Sequence, residues 1–244
     1  MTERIKKNIE EIVAEYYKHF LDKKNNNFVV KESIPVVWFG NIEEYFKSEK
    51  KIITVSLNPS KVEFEEERFG NALNNPSVDE LYKAYNNYFN DNPYQKWFRN
   101  YEKILNIFKA SYGGKMNAHN TSFDNYSIHI DIGSPIATDP TWGRLDRNIK
   151  RLIACPDLFN SFLSTLKPDI ILISISKKEF LAKFNLTDND FINNYLYEGK
   201  RGIYISAYKK ENTDIILGRN FGGTPFGGMS DGWKKDNIPK LLEK

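Results

Sequence analysis

The chain has 244 residues, of which 40% are hydrophobic, 14% aromatic and 27% charged. That balance excludes disorder, collagen-like repeats and coiled coil, and it suits one globular domain with a sizeable core. A net charge of +3 permits nucleic-acid binding without requiring it, one cysteine (Cys155) excludes an internal disulfide, and three scattered histidines give no zinc spacing.

In chain order, Ile5, Ile9, Ile12, Val13, Tyr16, Tyr17 and Phe20 recur at helical spacing and predict an amphipathic helix over about residues 3–22. This N-terminus is charged throughout, with no signal-peptide stretch, and no apolar run reaches the roughly 18 residues of a membrane span, so the expected compartment is the cytoplasm. VVWF at 36–39 and IITVSL at 52–57 predict strands, with a short helix between them capped by Asn41. Residues 61–93 are polar and irregular, an expected excursion above the sheet with one helix from Asp79 to Phe89. Trp97, Phe98, Tyr101, Ile104, Leu105 and Phe108 predict a buried helix ended by Gly113-Gly114. Beyond it come strands YSIHIDI (126–132), IILISI (170–175), GIYISAY and DIILG, with a helix near 156–166. Short apolar runs separated by helices predict a single α/β domain over residues 1–244. Its mostly parallel central sheet, of about four strands, is covered on both faces and binds ligands beyond the carboxyl ends of the strands.

Three strand ends carry the chemistry. Asn58-Pro59-Ser60-Lys61 follows IITVSL, either as a crevice-facing turn or as an ordinary Asx-Pro turn. Asp131 ends an apolar strand ahead of Gly133-Ser134-Pro135-Ile136. A carboxylate there is costly to bury unless it binds a ligand or caps nearby backbone donors. Arg219 to Ser230 holds four glycines with Asn220, Phe221, Thr224, Phe226 and Met229, and glycines let a backbone approach a ligand closely.

Together these loops resemble the uracil-DNA glycosylase superfamily, most closely its single-strand-selective and mismatch-specific branch, over roughly residues 50–235. The resemblance implies a three-layer α/β/α fold and hydrolysis of the N-glycosidic bond of a base flipped out of DNA, with no metal or cofactor. Ser56-Leu57-Asn58-Pro59-Ser60 matches the family's first motif, with serine at both glycine positions. Phe69-Gly70 matches its base-stacking aromatic, with Phe64 as runner-up. Asp131, just before Ser134-Pro135-Ile136, takes the place of the base-reading asparagine, and Ser134 joins it as a base-binding candidate. Gly232-Trp233 puts Asn220 or Phe221 where the family has a histidine. The departures at Ser56, Ser60, Asp131 and Asn220 point away from uracil more than from the fold.

Within that resemblance, the carbonyl of Asn58 would position the attacking water and Asn220 would donate to the departing base. An ionised aspartate only accepts hydrogen bonds, so Asp131 favours the N4 amine of cytosine over the O4 of uracil by roughly 1–3 kcal/mol. Ordinary cytosine cannot be the target without destroying host DNA. The expected substrate is therefore C5-modified cytosine, hydroxymethylated or glucosylated as in phage DNA, and the expected role antiviral. Ser60, Lys61, Arg219, Thr224 and Ser230 are the expected DNA contacts, with Phe221, Phe226 or Met229 as an apolar wedge. His119 and His129 read as core or loop histidines. The chain is expected to be a monomer whose partner is DNA and not a membrane. Its rivals are a uracil-excising repair enzyme and a catalytically inactive DNA-binding module. A base methyltransferase is opposed by Ser60, Lys61 and the lack of a G-x-G motif, and a nuclease by poor spacing around Asp169.

Overall fold

In the computed structural model, which describes residues 1–117, 122–198 and 202–243, the N-terminal periodicity becomes α1 (Glu3–Lys23). Thr2 caps it by accepting from the Ile5 N–H, and Ile9, Ile12, Val13, Tyr16 and Phe20 are buried. The VVWF run is buried but is not a sheet strand. Phe39 forms a β-bridge, exchanging N–H···O bonds of 2.8 and 2.9 Å with His129, and Val36 N–H donates to Pro135 C=O (2.9 Å). Asn41 then ends the extended run, its side chain accepting from Glu43 N–H and Glu44 N–H to start α2 (Ile42–Lys47).

Strand β1 (Ile52–Ser56) follows. The expected excursion is instead part of the core. Through α3 (Asn71–Asn74) and α4 (Val78–Asn87), residues 61–93 bury Phe69, Ala72, Leu81, Tyr85, Tyr88 and Phe89. Its tyrosines read as polar in the sequence, yet the Tyr85 hydroxyl donates to Pro35 C=O and the Tyr88 hydroxyl to Glu63, so both rings lie inside with their polar ends satisfied. Next comes α5 (Gln95–Ile107), which ends before the glycine pair, at Phe108 and a left-handed Lys109 (φ 54°). The glycines lie beyond β2 (Ala110–Ser111), which pairs with β3 (Asn125–Tyr126) in a separate parallel ribbon.

The remaining elements are β4 (Ile128–Asp131), α6 (Arg147–Ile153), α7 (Pro156–Leu166), β5 (Ile170–Ile173), α8 (Lys177–Phe184), β6 (Phe191–Leu196), β7 (Tyr204–Lys210), β8 (Thr213–Gly218) and α9 (Asp231–Asn237). The central sheet has six strands, not about four, in the order β4-β1-β5-β8-β7-β6. The first four are mutually parallel, while β7 and β6 extend the sheet antiparallel. Strand β6 carried no signal because it buries neither face: Phe191, Ile192 and Leu196 are exposed. By contrast β1 and β5 are buried at every position, so the sheet is covered on both faces there. Helix α1 packs against α4 and α7, and α5 against α9.

The parallel register places Ser56 opposite Asp131. Beyond it, Ile132 N–H donates to Ser56 C=O (2.9 Å), and Gly133 N–H and Ser134 N–H both donate to Leu57 C=O (2.7 and 3.0 Å). A Cβ on Gly133 would run into the Leu57 carbonyl and the Trp142 ring, so this close crossing of two chains requires glycine. Gly133→Ala is expected to lose roughly 1–3 kcal/mol by overpacking, read as a lower urea midpoint at unchanged slope.

Candidate functional site

The carboxyl ends of β1 and β4 open into a cavity of about 100 Å³. Strand β1 and the following turn contribute Ser56, Asn58, Pro59 and Ser60, while β4 contributes His129 and Asp131. Phe39, Tyr94, Trp97 and Phe98 form aromatic wall, and Glu63 completes the lining. The turn is held by Asn58 itself, whose Nδ2 donates to Ile136 C=O (3.1 Å) and Thr138 Oγ1 (3.0 Å). A carbonyl oxygen can only accept, so the amide orientation is chemically determined. It leaves Oδ1 with no partner among the described residues.

Two carboxyls share this space. The Asp131 side chain is 3% exposed, and its Oδ1 is buried without a hydrogen-bond partner. His129 Nε2 stands 3.6 Å away, close enough for electrostatic attraction if the ring is charged but too long for a hydrogen bond. The other ring nitrogen of His129, Nδ1, lies 2.6 Å from Thr54 Oγ1, which in turn contacts the Tyr112 hydroxyl. Glu63, 5% exposed, sits in a 3-10 turn (Lys61–Phe64) directly after the Asn58 turn. Burial pushes its carboxyl up to about 7, partly opposed by the Tyr88 hydroxyl and Arg68 and reinforced by Asp131. The Tyr88 oxygen accepts from Tyr94 N–H (3.0 Å), so its own proton points to Glu63 Oε2.

Of the residues singled out by sequence, Asn58, Ser60 and Asp131 meet at this cavity. Phe69 is a correction. It is 2% exposed, stacks on Phe64 at 5.1 Å and packs against Phe39 and Tyr88, so neither Phe69 nor Phe64 faces the cavity. Ser134 is buried, with its Oγ accepting from Ile136 N–H inside its own turn. Asn220 does not line the cavity: β5 separates β8 from β1, which puts the end of β8 about 10 Å to the side.

Phe226 and Met229 are too buried to act as wedges. Phe226 fills the space beside Gly218, where any Cβ would strike its ring, packs edge-on against Tyr101 and donates its N–H to Ser174 Oγ. Phe221 is 42% exposed and stays at the tip, while Thr224 C=O accepts from Phe221 N–H and Gly227 N–H. Lys61 pairs with Asp139 at 3.1 Å on the surface, Arg219 donates to Gly202 C=O (2.5 Å), and Ser230 caps α9 through Trp233 N–H. His119 lies outside the described residues. Sequence reading missed Glu63 as well as Tyr94, Trp97 and Phe98. Glu63 hides in an acidic run, and only its burial sets it apart; the aromatics belong to the helical pattern that signals core.

Among the described residues no cluster of His, Cys, Asp and Glu is able to hold a metal ion, and no helix is long and apolar enough to cross a membrane. No protein-family model, curated protein or solved structure matches the chain.

The buried Glu63 gives stability a pH dependence of defined sign. Its folded pKa of about 7 exceeds the ordinary 4.5, so the native state keeps a proton that the unfolded chain releases. Stability from this group is full below about pH 4.5, declines as pH rises and is lost above about 7. Glu63→Gln keeps an acceptor for Tyr88 and cannot ionise. Its stability relative to the native chain should therefore rise between pH 5 and pH 8, by on the order of 3 kcal/mol at 1.36 kcal/mol per pKa unit, as measured by chemical denaturation at the two pH values.

Proposed function

We propose that the chain is a monofunctional DNA glycosylase with a uracil-DNA glycosylase-like three-layer α/β/α fold, acting on a flipped, C5-modified cytosine. The observation that carries this reading is the orphaned Asp131 Oδ1, a buried acceptor on the same cavity as Asn58. A buried acceptor without a donor costs roughly 1–3 kcal/mol, and the N4 amine of a flipped cytosine supplies that donor. A cavity of about 100 Å³ holds one small ring, so a bulky C5 substituent would project beyond it.

In this mechanism Asn58 Oδ1 holds a water beneath the anomeric carbon. The water oxygen bonds to that carbon as the C–N bond breaks, its proton passes to solvent, and the electron pair leaves on the base. Because an amide is no base near neutral pH, the contribution of Asn58 is positioning. DNA phosphates would displace the Lys61–Asp139 pair readily, since exposed ion pairs are weak.

The deciding assay incubates the protein in EDTA with DNAs carrying uracil, cytosine, hydroxymethylcytosine or glucosylated hydroxymethylcytosine and measures free base and abasic sites. Release from a modified cytosine is the expected result. Preference for uracil overturns the role of Asp131, and DNA binding without release from any substrate identifies an inactive binding module. Asn58→Ala should lower single-turnover release by about 100-fold or more and, with two hydrogen bonds removed, cost roughly 1–3 kcal/mol of stability. Asp131→Asn should narrow the preference for cytosine derivatives over uracil by roughly 1–3 kcal/mol, measured as the ratio of release rates.

A further inference from the structure

A cytosine read by Asp131 alone is only half read. Its Watson–Crick edge offers a donor at N4 and an acceptor at N3, whereas uracil offers an acceptor at O4 and a donor at N3. A carboxylate satisfies N4, and the acceptor at N3 requires a second group that donates. The cavity contains one further carboxyl, Glu63, buried in the turn that follows Asn58.

We propose, resting on the glycosylase reading above, that Glu63 is the second specificity-determining residue, presenting a neutral carboxylic acid to N3 of the flipped cytosine while Asp131 accepts from N4. The geometry divides the two oxygens of Glu63. Tyr88 is committed as a donor to Oε2, because its own oxygen is occupied by Tyr94 N–H. Oε1 has no partner among the described residues, and Glu63 lines the cavity. A proton on Oε1 therefore has no acceptor bonded to it among the described residues and is left for a ligand. The groups around this carboxyl, which shares the cavity with Tyr94 and His129, pull in both directions: burial and Asp131 favour the neutral form, while the Tyr88 hydroxyl and Arg68 favour the ionised one, and burial is the largest of these. Arg68 spends its guanidinium on Val62 C=O (2.7 Å) and Glu66 (2.9 Å) instead of on Glu63. Burial holds the proton in place. An accepting oxygen on Asp131 and a donating carboxylic acid on Glu63 thus make a pair complementary to cytosine and mismatched to uracil at both positions. In other enzymes too, a carboxylic acid kept neutral by its surroundings donates a hydrogen bond at neutral pH.

The test follows two readouts from pH 5.5 to 9 for the native chain, Glu63→Gln and Glu63→Leu, with thermal melting to confirm folding. The first is single-turnover release of hydroxymethylcytosine and of uracil from DNA. The second is equilibrium binding of an oligonucleotide carrying 2′-fluoroarabino-hydroxymethylcytosine or its uracil counterpart, sugars that resist cleavage. For the native chain, release of the cytosine derivative should fall about tenfold per pH unit above pH 7, as the donor ionises. Glu63→Gln supplies an amide N–H to N3 and an oxygen to Tyr88, so it should stay within a few-fold at pH 6 and lose the alkaline decline. Glu63→Leu should lose at least tenfold of the preference for the cytosine derivative.

An alkaline decline that persists in Glu63→Gln, or a folded Glu63→Gln inactive at every pH, overturns the donor role. Failure of the broader reading looks different. Without base release by the native chain, pH-dependent discrimination in the binding assay upholds the role of Glu63 while ending that of a glycosylase, and its absence ends both.

Discussion

Strand β1 is hydrogen-bonded on both edges by parallel neighbours and buried at all its positions, and the rest of the molecule is arranged around that confinement. A strand so enclosed can meet a ligand only beyond its end. The register that sets Ser56 opposite Asp131 brings a second strand to its end at the same level, and the Leu57 carbonyl ties the two exits together by accepting from Gly133 and Ser134. Because side chains alternate between faces, a one-residue slip of β4 would carry Asp131 to the opposite face of the sheet and dissolve the cavity.

The confinement has an electrostatic cost. Asp131, Glu63 and His129 occupy a space lined by Phe39, Trp97 and Phe98, where few groups are available to solvate a charge. Domains of ordinary stability have only about 5–15 kcal/mol to lose, so an orphaned oxygen and a raised carboxyl at one place are a large concession. Asn58, Asp131 and Glu63 all line that one small volume, and each has an oxygen with no partner among the described residues.

Much of the architecture was legible in the sequence because periodicity reports burial directly. Helix α1, α2 with its Asn41 cap, and the apolar strands β1, β5 and β8 all stand where their patterns put them. The Asn58 turn and Asp131 were legible as residues at the strand ends that line the cavity, because polar groups at the end of an apolar strand break the pattern. Glu63, Phe69 and Phe226 were not, for opposite reasons. Glu63 resembles its solvent-facing neighbours Glu65, Glu66 and Glu67, while Phe69 and Phe226 lie beside glycines in segments that look like exposed loops. Whether a residue in such a segment points in or out is decided by distant partners such as Tyr88 and Tyr101, which no local spacing encodes.

The loop after β8 shows what one buried ring does to a long connection. Phe226 is pinned near its middle, by packing at Gly218 and Tyr101 and by the hydrogen bond from its N–H to Ser174. A connection tethered there behaves as two short spans instead of one long one, and each halving of a flexible span lowers its closure entropy by about 0.6 kcal/mol. The half that carries Phe221 is thus anchored at both ends, at Gly218 and at Phe226, and the few residues between these anchors set how far its tip can extend, much as the length of a leash sets the circle an animal can walk.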